Sequence, residues 1–327
     1  SYDTLIISVG STINDFGIKG ASENAIALDN QKQAQKFHQK LHNAILKAQT
    51  QKDEIRNGQL EVVIVGAGAT GVELAAELHK ATREMTAYGL DKINPDKDIK
   101  ISLIEASERL LPALPERMSS SVDRELKKLN VNLYLGERVI NVSNQGVKTH
   151  TGRFIPSALV VWAAGIKAPE FLKNLSLKVN EINQIIVKST LQSIDDDSIF
   201  AFGDCAACPI KPGAKEFVPP RAQSAHQQAL LLNKTMKRLV LKNDYNLPQY
   251  SYKDYGSLVN LGRYSTVGNL MGSLTGSSMF VEGFVARIMY LMLYQMHLMA
   301  LHGVTVVSFR LIAKFITRRT ETHVKLH

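Results

Sequence analysis

The 327-residue sequence predicts an α/β fold with buried parallel strands, and three observations point to it. The run Leu60-Glu61-Val62-Val63-Ile64-Val65 is short and rich in β-branched residues, as in a strand covered on both faces. It passes through a glycine-rich turn straight into Val72-Glu73-Leu74-Ala75-Ala76-Glu77-Leu78, a strong helix former. The alternation then repeats, with a strand over 99–105, a helix over 118–129 and strands over 132–135, 138–142 and 158–163.

The remaining elements follow in order. Residues 2–10 read as a strand that ends at Gly10, and 11–30 as a loop. Residues 30–56 are polar and free of breakers, with Phe37, Leu41, Ile45 and Leu46 as an apolar stripe, and Asn57-Gly58 stops this helix. Residues 86–98 form a polar insertion, and Ser143-Asn144-Gln145-Gly146 is a hairpin turn. Strands recur over 185–187 and 199–202, a helix covers 221–243, and 250–280 suggests short strands. From residue 281 the chain is apolar and helical.

Composition bounds the function. The chain is 45% hydrophobic and 21% charged, ordinary for a packed globular protein of up to two domains. A net charge of +9 favours an anionic partner: a dinucleotide, an acidic membrane surface or nucleic acid. Nucleic acid is set aside, because no long basic run carries interleaved aromatics. Cys205 and Cys208 are the only cysteines, so no disulfide framework supports the fold, and a reducing compartment is the default. The chain opens without Met, directly on a strand, and is read as starting in mid-domain.

Gly66-Ala67-Gly68-Ala69-Thr70-Gly71 is a G-x-G-x-x-G between strand and helix, the context that gives the pattern meaning. Gly66 permits the tight turn, Gly68 lets a pyrophosphate approach the backbone, and Gly71 lets the helix pack on the strand. The helix N-terminus adds free N–H groups and partial positive charge. Glu105 closes the next strand, where an acid takes the adenosine ribose hydroxyls and favours NAD over NADP. Its spacing from Gly71 exceeds the usual ~20 residues because of the 86–98 insertion. Arg109 is the competing reading, since it could meet a 2′-phosphate. Residues 58–168 are taken as the NAD-binding domain.

A second signature lies at residues 190–204, where an apolar strand delivers Gly203-Asp204 to its C-terminal end. This segment is similar to the FAD-binding segment of two-dinucleotide-fold flavoprotein reductases, in which the Asp binds the ribityl and pyrophosphate region of FAD. Together with residues 2–10, the NAD turn, Trp162-Ala163-Ala164-Gly165-Ile166 and Ala222-Gln223-Ser224-Ala225-His226-Gln227, the chain resembles the type II NADH:quinone oxidoreductases over its whole length.

The resemblance implies an α/β protein of two Rossmann-like dinucleotide-binding domains. The FAD domain is split and N-terminally incomplete, and a C-terminal amphipathic helical segment associates with the membrane. Residues 1–57 are then a remnant of the FAD domain and a helical linker, 169–250 its second part, and 251–327 the membrane-associated region. An FAD turn before Tyr2 is implied too, in a half-domain on the order of 100 residues. The resemblance places Gly10, Gly203 and Asp204 on FAD, Ala164 and Gly165 over the junction of NADH and flavin, and Gln223 and Gln227 at the quinone site. Glu73 corresponds to a family Glu near nicotinamide and flavin, or else is a partly buried helix carboxylate.

Other residues carry competing readings. Cys205 and Cys208 form a C-x-x-C, read as small core residues in preference to a redox dithiol, and they are too few for a metal site. His226 relays protons near a quinone or packs within a helix. The apolar stretch over 284–301 is interrupted by Gln295, His297 and His302 and reads as too short for a bilayer span of ~20 residues. Over 304–319, Ser308, Leu311, Ile312, Phe315 and Ile316 share a face edged by Arg310, Lys314 and Arg318, which suits an interfacial helix; a core helix or a homodimer contact is the alternative.

The expected function is transfer of two electrons from NADH through FAD to a membrane quinone, taken as ubiquinone. It is expected to occur without proton pumping, at the cytoplasmic face of the inner (cell) membrane. A soluble NAD(P)H-dependent disulfide or ferredoxin reductase, or a non-catalytic NAD-binding module at the membrane, are the alternatives.

Overall fold

The computed structural model describes residues 2–87, 90–262, 264–271 and 278–317. The chain divides into two compact units, one of Ser1–Asn14 with Gly165–Tyr255 and the other of Asp15–Ala164 with Gly256–His327. These boundaries differ from those read from the sequence, because residues 15–57 and 256–327 both join the unit that carries the glycine turn.

In that unit a five-stranded parallel sheet runs in the order Ala25–Ala27, Leu159–Trp162, Glu61–Val65, Lys100–Ile104, Asn132–Tyr134. Glu61–Val65 is buried along its whole length. Chain order reverses beside it, which leaves a crevice at the carboxyl ends of the strands, where open α/β sheets bind ligands. The helices Ala69–Thr86 and Glu116–Lys128 connect the strands on one side of this point.

Residues 11–30 were expected to be a loop, yet they contain the short helix Ala21–Asn24 and the edge strand Ala25–Ala27. A three-residue strand is too short to show a period, and only its pairing with Leu159–Trp162 defines it. The helix Gln31–Thr50 is capped by Asn30, whose side chain accepts the Gln33 N–H at 3.1 Å. It buries Phe37, Leu41, Ile45 and Ala48 in the same core as the sheet, which is why this segment belongs here. Its last residue lies short of Asn57-Gly58.

The hairpin turn at 143–146 forms, with Ser143 opposite Gly146, in a three-stranded antiparallel sheet of Val139–Ser143, Gly146–Thr149 and Phe154–Pro156. A second such sheet consists of Gly256–Asn260, Thr266–Met271 and Ser278–Glu282. Its Val259 and Val267, with Leu261 from the connection between those strands, enter the core of this unit.

The C-terminal helices are Gly283–His302 and Val304–Thr317. The first is unbroken over 20 residues, about 30 Å at the α-helical rise. Its mean hydropathy over an 18-residue window is 1.3, and only 6% of that window is buried. By length and composition it suits a bilayer span, which corrects the expectation that it was too short. Gln295 and His297 add polarity without removing a backbone hydrogen bond, so they do not shorten the helix. On the second helix Phe309, Leu311, Ile312 and Ile316 are exposed while Val307 is buried. Arg318 and the Phe315 side chain lie outside the described residues.

In the other unit Leu5–Ile7 pairs in parallel with Ile199–Ala201, and Thr12–Ile13 pairs antiparallel with Ile166–Lys167. Ile185–Ile186 pairs in parallel with Ala206–Ala207. The helix Ala222–Lys242 completes this unit. Its core gathers Ile7, Leu172, Leu191, Phe200, Cys205, Cys208 and Tyr250.

Candidate functional site

The three glycines of the turn are distinguished by their surroundings. The Gly66 N–H donates to the Ile104 carbonyl at 2.8 Å, and its φ of +103° lies in the region that favours glycine. A Cβ on Gly71 would stand 1.9 Å from the Gly66 carbonyl oxygen, so only glycine lets the helix press on the strand end. Gly68 has an ordinary backbone with φ of −68°, and nothing lies within 4 Å of a Cβ built on it. No neighbour among the described residues calls for glycine there. The space a side chain would fill is open to a ligand, and Gly68 is the N-cap of Ala69–Thr86 without a side-chain cap. The first-turn N–H groups therefore face that space unshielded.

Glu105 lies against the turn. One carboxylate oxygen accepts the Ala67 N–H at 2.8 Å and the other the Ser107 N–H at 2.9 Å. Each oxygen retains a lone pair that a ribose hydroxyl can use. Arg109 donates instead to the carbonyls of Pro112 at 2.7 Å and Leu114 at 2.9 Å, so local backbone occupies its guanidinium. These residues fit a dinucleotide with a free ribose diol.

Glu73 lies one turn along the same helix, and its Oε1 accepts the Asn260 N–H at 2.9 Å. Burial pushes its carboxyl above the ordinary carboxylate range, the Asn260 bond opposes this, and the neighbouring Glu77 adds to it. The sequence reading missed His79, two turns further on. It is buried, with Nδ1 2.6 Å from the Tyr264 hydroxyl and the rings edge to face. Burial pulls its pKa down to about 4, helped by Arg83. At the sheet end, buried Trp162 donates its indole N–H to the Ala164 carbonyl at 2.9 Å. The boundary between units falls between Ala164 and Gly165.

In the other unit Gly10 and Gly203 follow the carboxyl ends of two paired parallel strands, with φ of +69° and +75°. A Cβ on Gly10 would meet nothing within 4 Å. Asp204 accepts the Ser11 hydroxyl at 2.9 Å, which joins the two strand ends. An open glycine beside a half-exposed carboxylate offers space and a hydroxyl acceptor, which fits the ribityl region of a flavin dinucleotide.

Comparison with known proteins bears on this geometry. The family model described as pyridine nucleotide-disulphide oxidoreductase matches residues 1–229. A type II NADH:quinone oxidoreductase of Haemophilus influenzae is 39% identical over 339 residues, covering 100% of this chain and 75% of the relative. The chain belongs to the type II NADH:quinone oxidoreductase family.

Two solved structures support the fold. NDH2 from Plasmodium falciparum, solved in complex with NADH, superposes with a TM-score of 0.81 at 22% identity, covering 99% of this chain and 79% of that one. A FAD-dependent pyridine nucleotide-disulphide oxidoreductase from Desulfovibrio vulgaris gives 0.57 at 22% identity, covering 83% and 60%.

Membership of this family directs attention to the helix Ala222–Lys242. Gln223 donates to Asp254 at 3.3 Å and accepts the Tyr255 N–H at 3.1 Å. Gln227 donates to the Lys253 carbonyl at 2.8 Å and accepts the Lys253 N–H at 3.1 Å. The two amides, four residues apart on one helix face, thus clamp residues 253–255.

Gln228, which the sequence reading passed over, is buried, and its Oε1 accepts the Gly203 N–H at 2.8 Å. Buried Gln184 donates to the Asp204 carbonyl at 2.9 Å. No sequence motif marks either one; a buried amide next to a Gly-Asp corner shows only in the fold. Cys205 and Cys208 are fully buried, and burial pushes both thiols up, Cys208 to about 12. Neither supplies the exposed, low-pKa thiolate that dithiol chemistry needs.

Proposed function

We propose that this chain carries out oxidation of NADH with FAD as resident cofactor and a membrane quinone, taken as ubiquinone, as acceptor, without pumping protons. The observation that carries the reading is the pairing of an open Gly68 with Glu105 held at the turn, in a chain of this family. Bound FAD supplies the two-electron relay between hydride donor and quinone. The protein's own residues bind and orient.

Gly66, Gly68 and Gly71 seat the NADH pyrophosphate on the helix start, and Glu105 takes the ribose diol. The family resemblance assigns Ala164 and Gly165 to the approach of nicotinamide and flavin. Gly10, Gly203 and Asp204 hold the flavin's ribityl and pyrophosphate region. Glu73 keeps Oε2 for a proton, since Oε1 is taken by Asn260. Gln223 and Gln227 address the quinone; after its two bonds to Lys253, the Gln227 amide still has one N–H and one lone pair.

Exposed apolar helices support attachment to a membrane with an anionic surface, placed here on the cytoplasmic face of the inner (cell) membrane. A homodimer contact on the same face is the competing use.

The test uses the full-length FAD-loaded protein, with NADH oxidation followed against a quinone and against a soluble electron acceptor. Gln227→Leu is expected to slow the quinone reaction at least tenfold and leave the soluble reaction within twofold. Thermal melting and flavin content report whether the clamp on residues 253–255 survives. Absence of quinone reduction by the loaded wild-type protein would overturn the proposal. The disulfide-reductase reading lacks support, because both cysteines are buried in the core.

A further inference from the structure

A groove in the unit that carries the glycine turn is lined by Glu116, Arg117, Ser120, Arg124, Phe280 and Glu282. Its volume is about 370 Å³, within the range of small-ligand sites. The first four residues belong to the helix Glu116–Lys128, the last two to the strand Ser278–Glu282. Positions 117, 120 and 124 recur at i, i+3 and i+7, so Arg117, Ser120 and Arg124 occupy one face, and all three are exposed.

Among the described residues neither guanidinium is held in an ion pair, although Glu116 and Glu282 share the groove. Lys127 and Lys128 on the same helix pair with Asp123 and Glu125, whereas no carboxylate among the described residues pairs with Arg117 or Arg124. The opposite wall is fixed, because the Ser121 hydroxyl donates to Glu282 at 3.2 Å.

Glu282 is also the N-cap of Gly283–His302. That helix contains no acidic residue. It opens with Phe284 and Val285, 76% and 58% exposed. The groove therefore ends at the residue where the exposed apolar helix begins.

We propose that this groove binds the phosphate of an anionic glycerophospholipid whose acyl chains lie along Gly283–His302. Two guanidinium groups and a hydroxyl on one helix face present donors that suit phosphate oxygens in charge. A free phosphate has no use for the apolar helix that starts at the rim. Glu116 and Glu282 disfavour a densely charged polyphosphate headgroup and accept the hydroxyls of a glycerol headgroup, so phosphatidylglycerol is the favoured lipid. The proposal rests on the membrane reading above and adds a headgroup site to it.

The test uses the full-length holoenzyme with vesicles of phosphatidylcholine, alone or mixed with phosphatidylglycerol. A second arm titrates dihexanoyl-phosphatidylglycerol below its micelle concentration, with inorganic phosphate as competitor. Wild-type binding is expected to rise with the phosphatidylglycerol fraction. The pair R117Q/R124Q is expected to weaken it about 30-fold, at about 1 kcal/mol per basic residue at the surface. Binding to phosphatidylcholine and NADH oxidation with a soluble acceptor are expected to stay unchanged.

The control pair K127Q/K128Q removes the same formal charge from the same helix and is expected to lose less than threefold. Equal losses in the two pairs would mean diffuse attraction and overturn the site. Displacement of the short-chain lipid by an equal concentration of inorganic phosphate would overturn it in favour of a free-anion site. If the wild-type protein sediments with no vesicle, the membrane reading falls and takes this proposal with it. If it sediments but R117Q/R124Q behaves as wild type, only the headgroup site falls.

Discussion

Gly68→Ala and Gly71→Ala each add one methyl group to the same turn, and the structure gives them different consequences. At Gly71 the new carbon would lie 1.9 Å from a backbone oxygen. Neither atom is the end of a flexible side chain, so the helix must move off the strand, at about 1–3 kcal/mol or more for overpacking. At Gly68 the methyl enters open space on an unstrained backbone. Lower entropy of the unfolded chain stabilises by about 0.4–1 kcal/mol, and the poorer N-cap offsets this by a similar amount, so stability barely changes.

Binding behaves differently. The Gly68 methyl projects into the space assigned to the pyrophosphate. Loss of one charge-assisted hydrogen bond costs about 1.5–3 kcal/mol, or about 10- to 150-fold in affinity. The assay is urea or thermal unfolding of each variant beside NADH titration of the FAD-loaded protein. Gly68→Ala is expected to melt within about 2 °C of wild type, since 1 kcal/mol shifts the midpoint of a domain this size by about 2–4 °C. It is also expected to bind NADH at least tenfold more weakly. Gly71→Ala is expected to lose both stability and binding. Undiminished NADH affinity in Gly68→Ala would refute the argument that the open space serves the nucleotide.

Two further outcomes follow from the same geometry. Because burial raises the Glu73 carboxyl, the folded state favours its protonated form. Its contribution is then fully present below the unfolded pKa and is lost as pH rises through the folded pKa. Gln cannot ionise, so Glu73→Gln should match wild-type stability in acid and exceed it at neutral pH; a difference in urea midpoint that does not change with pH would contradict this. Gln228→Met removes the acceptor for the half-buried Gly203 N–H, at about 1–3 kcal/mol. Its flavin-to-protein ratio after dialysis should fall well below that of wild type, and an unchanged ratio would rule out a role in shaping the flavin corner.

How much of the site was legible depended on how local each signal was. The glycine turn could be read because strand, turn and helix are consecutive in the chain. The His79–Tyr264 contact could not, since it joins residues 185 apart in the chain. The edge strand Ala25–Ala27 was hidden for a related reason, since three residues are too few for a period to emerge and pairing alone defines them. Gln223 and Gln227 were singled out by resemblance, and the fold added that both amides hold the backbone of residues 253–255.

By itself, the sequence determined the local units: β-branched runs that must be buried, a turn that only glycine can make, a Gly-Asp corner and an apolar, acid-free helix near the end. These depend on spacing along the chain and on side-chain chemistry. Only the tertiary structure decided the partners. It brought Glu105 to Ala67 across 38 positions, Ser11 to Asp204 across 193 and Asn260 to Glu73 across 187. Such pairings depend on which crossover returns which segment to the sheet, and a one-dimensional pattern does not encode that choice at any single residue.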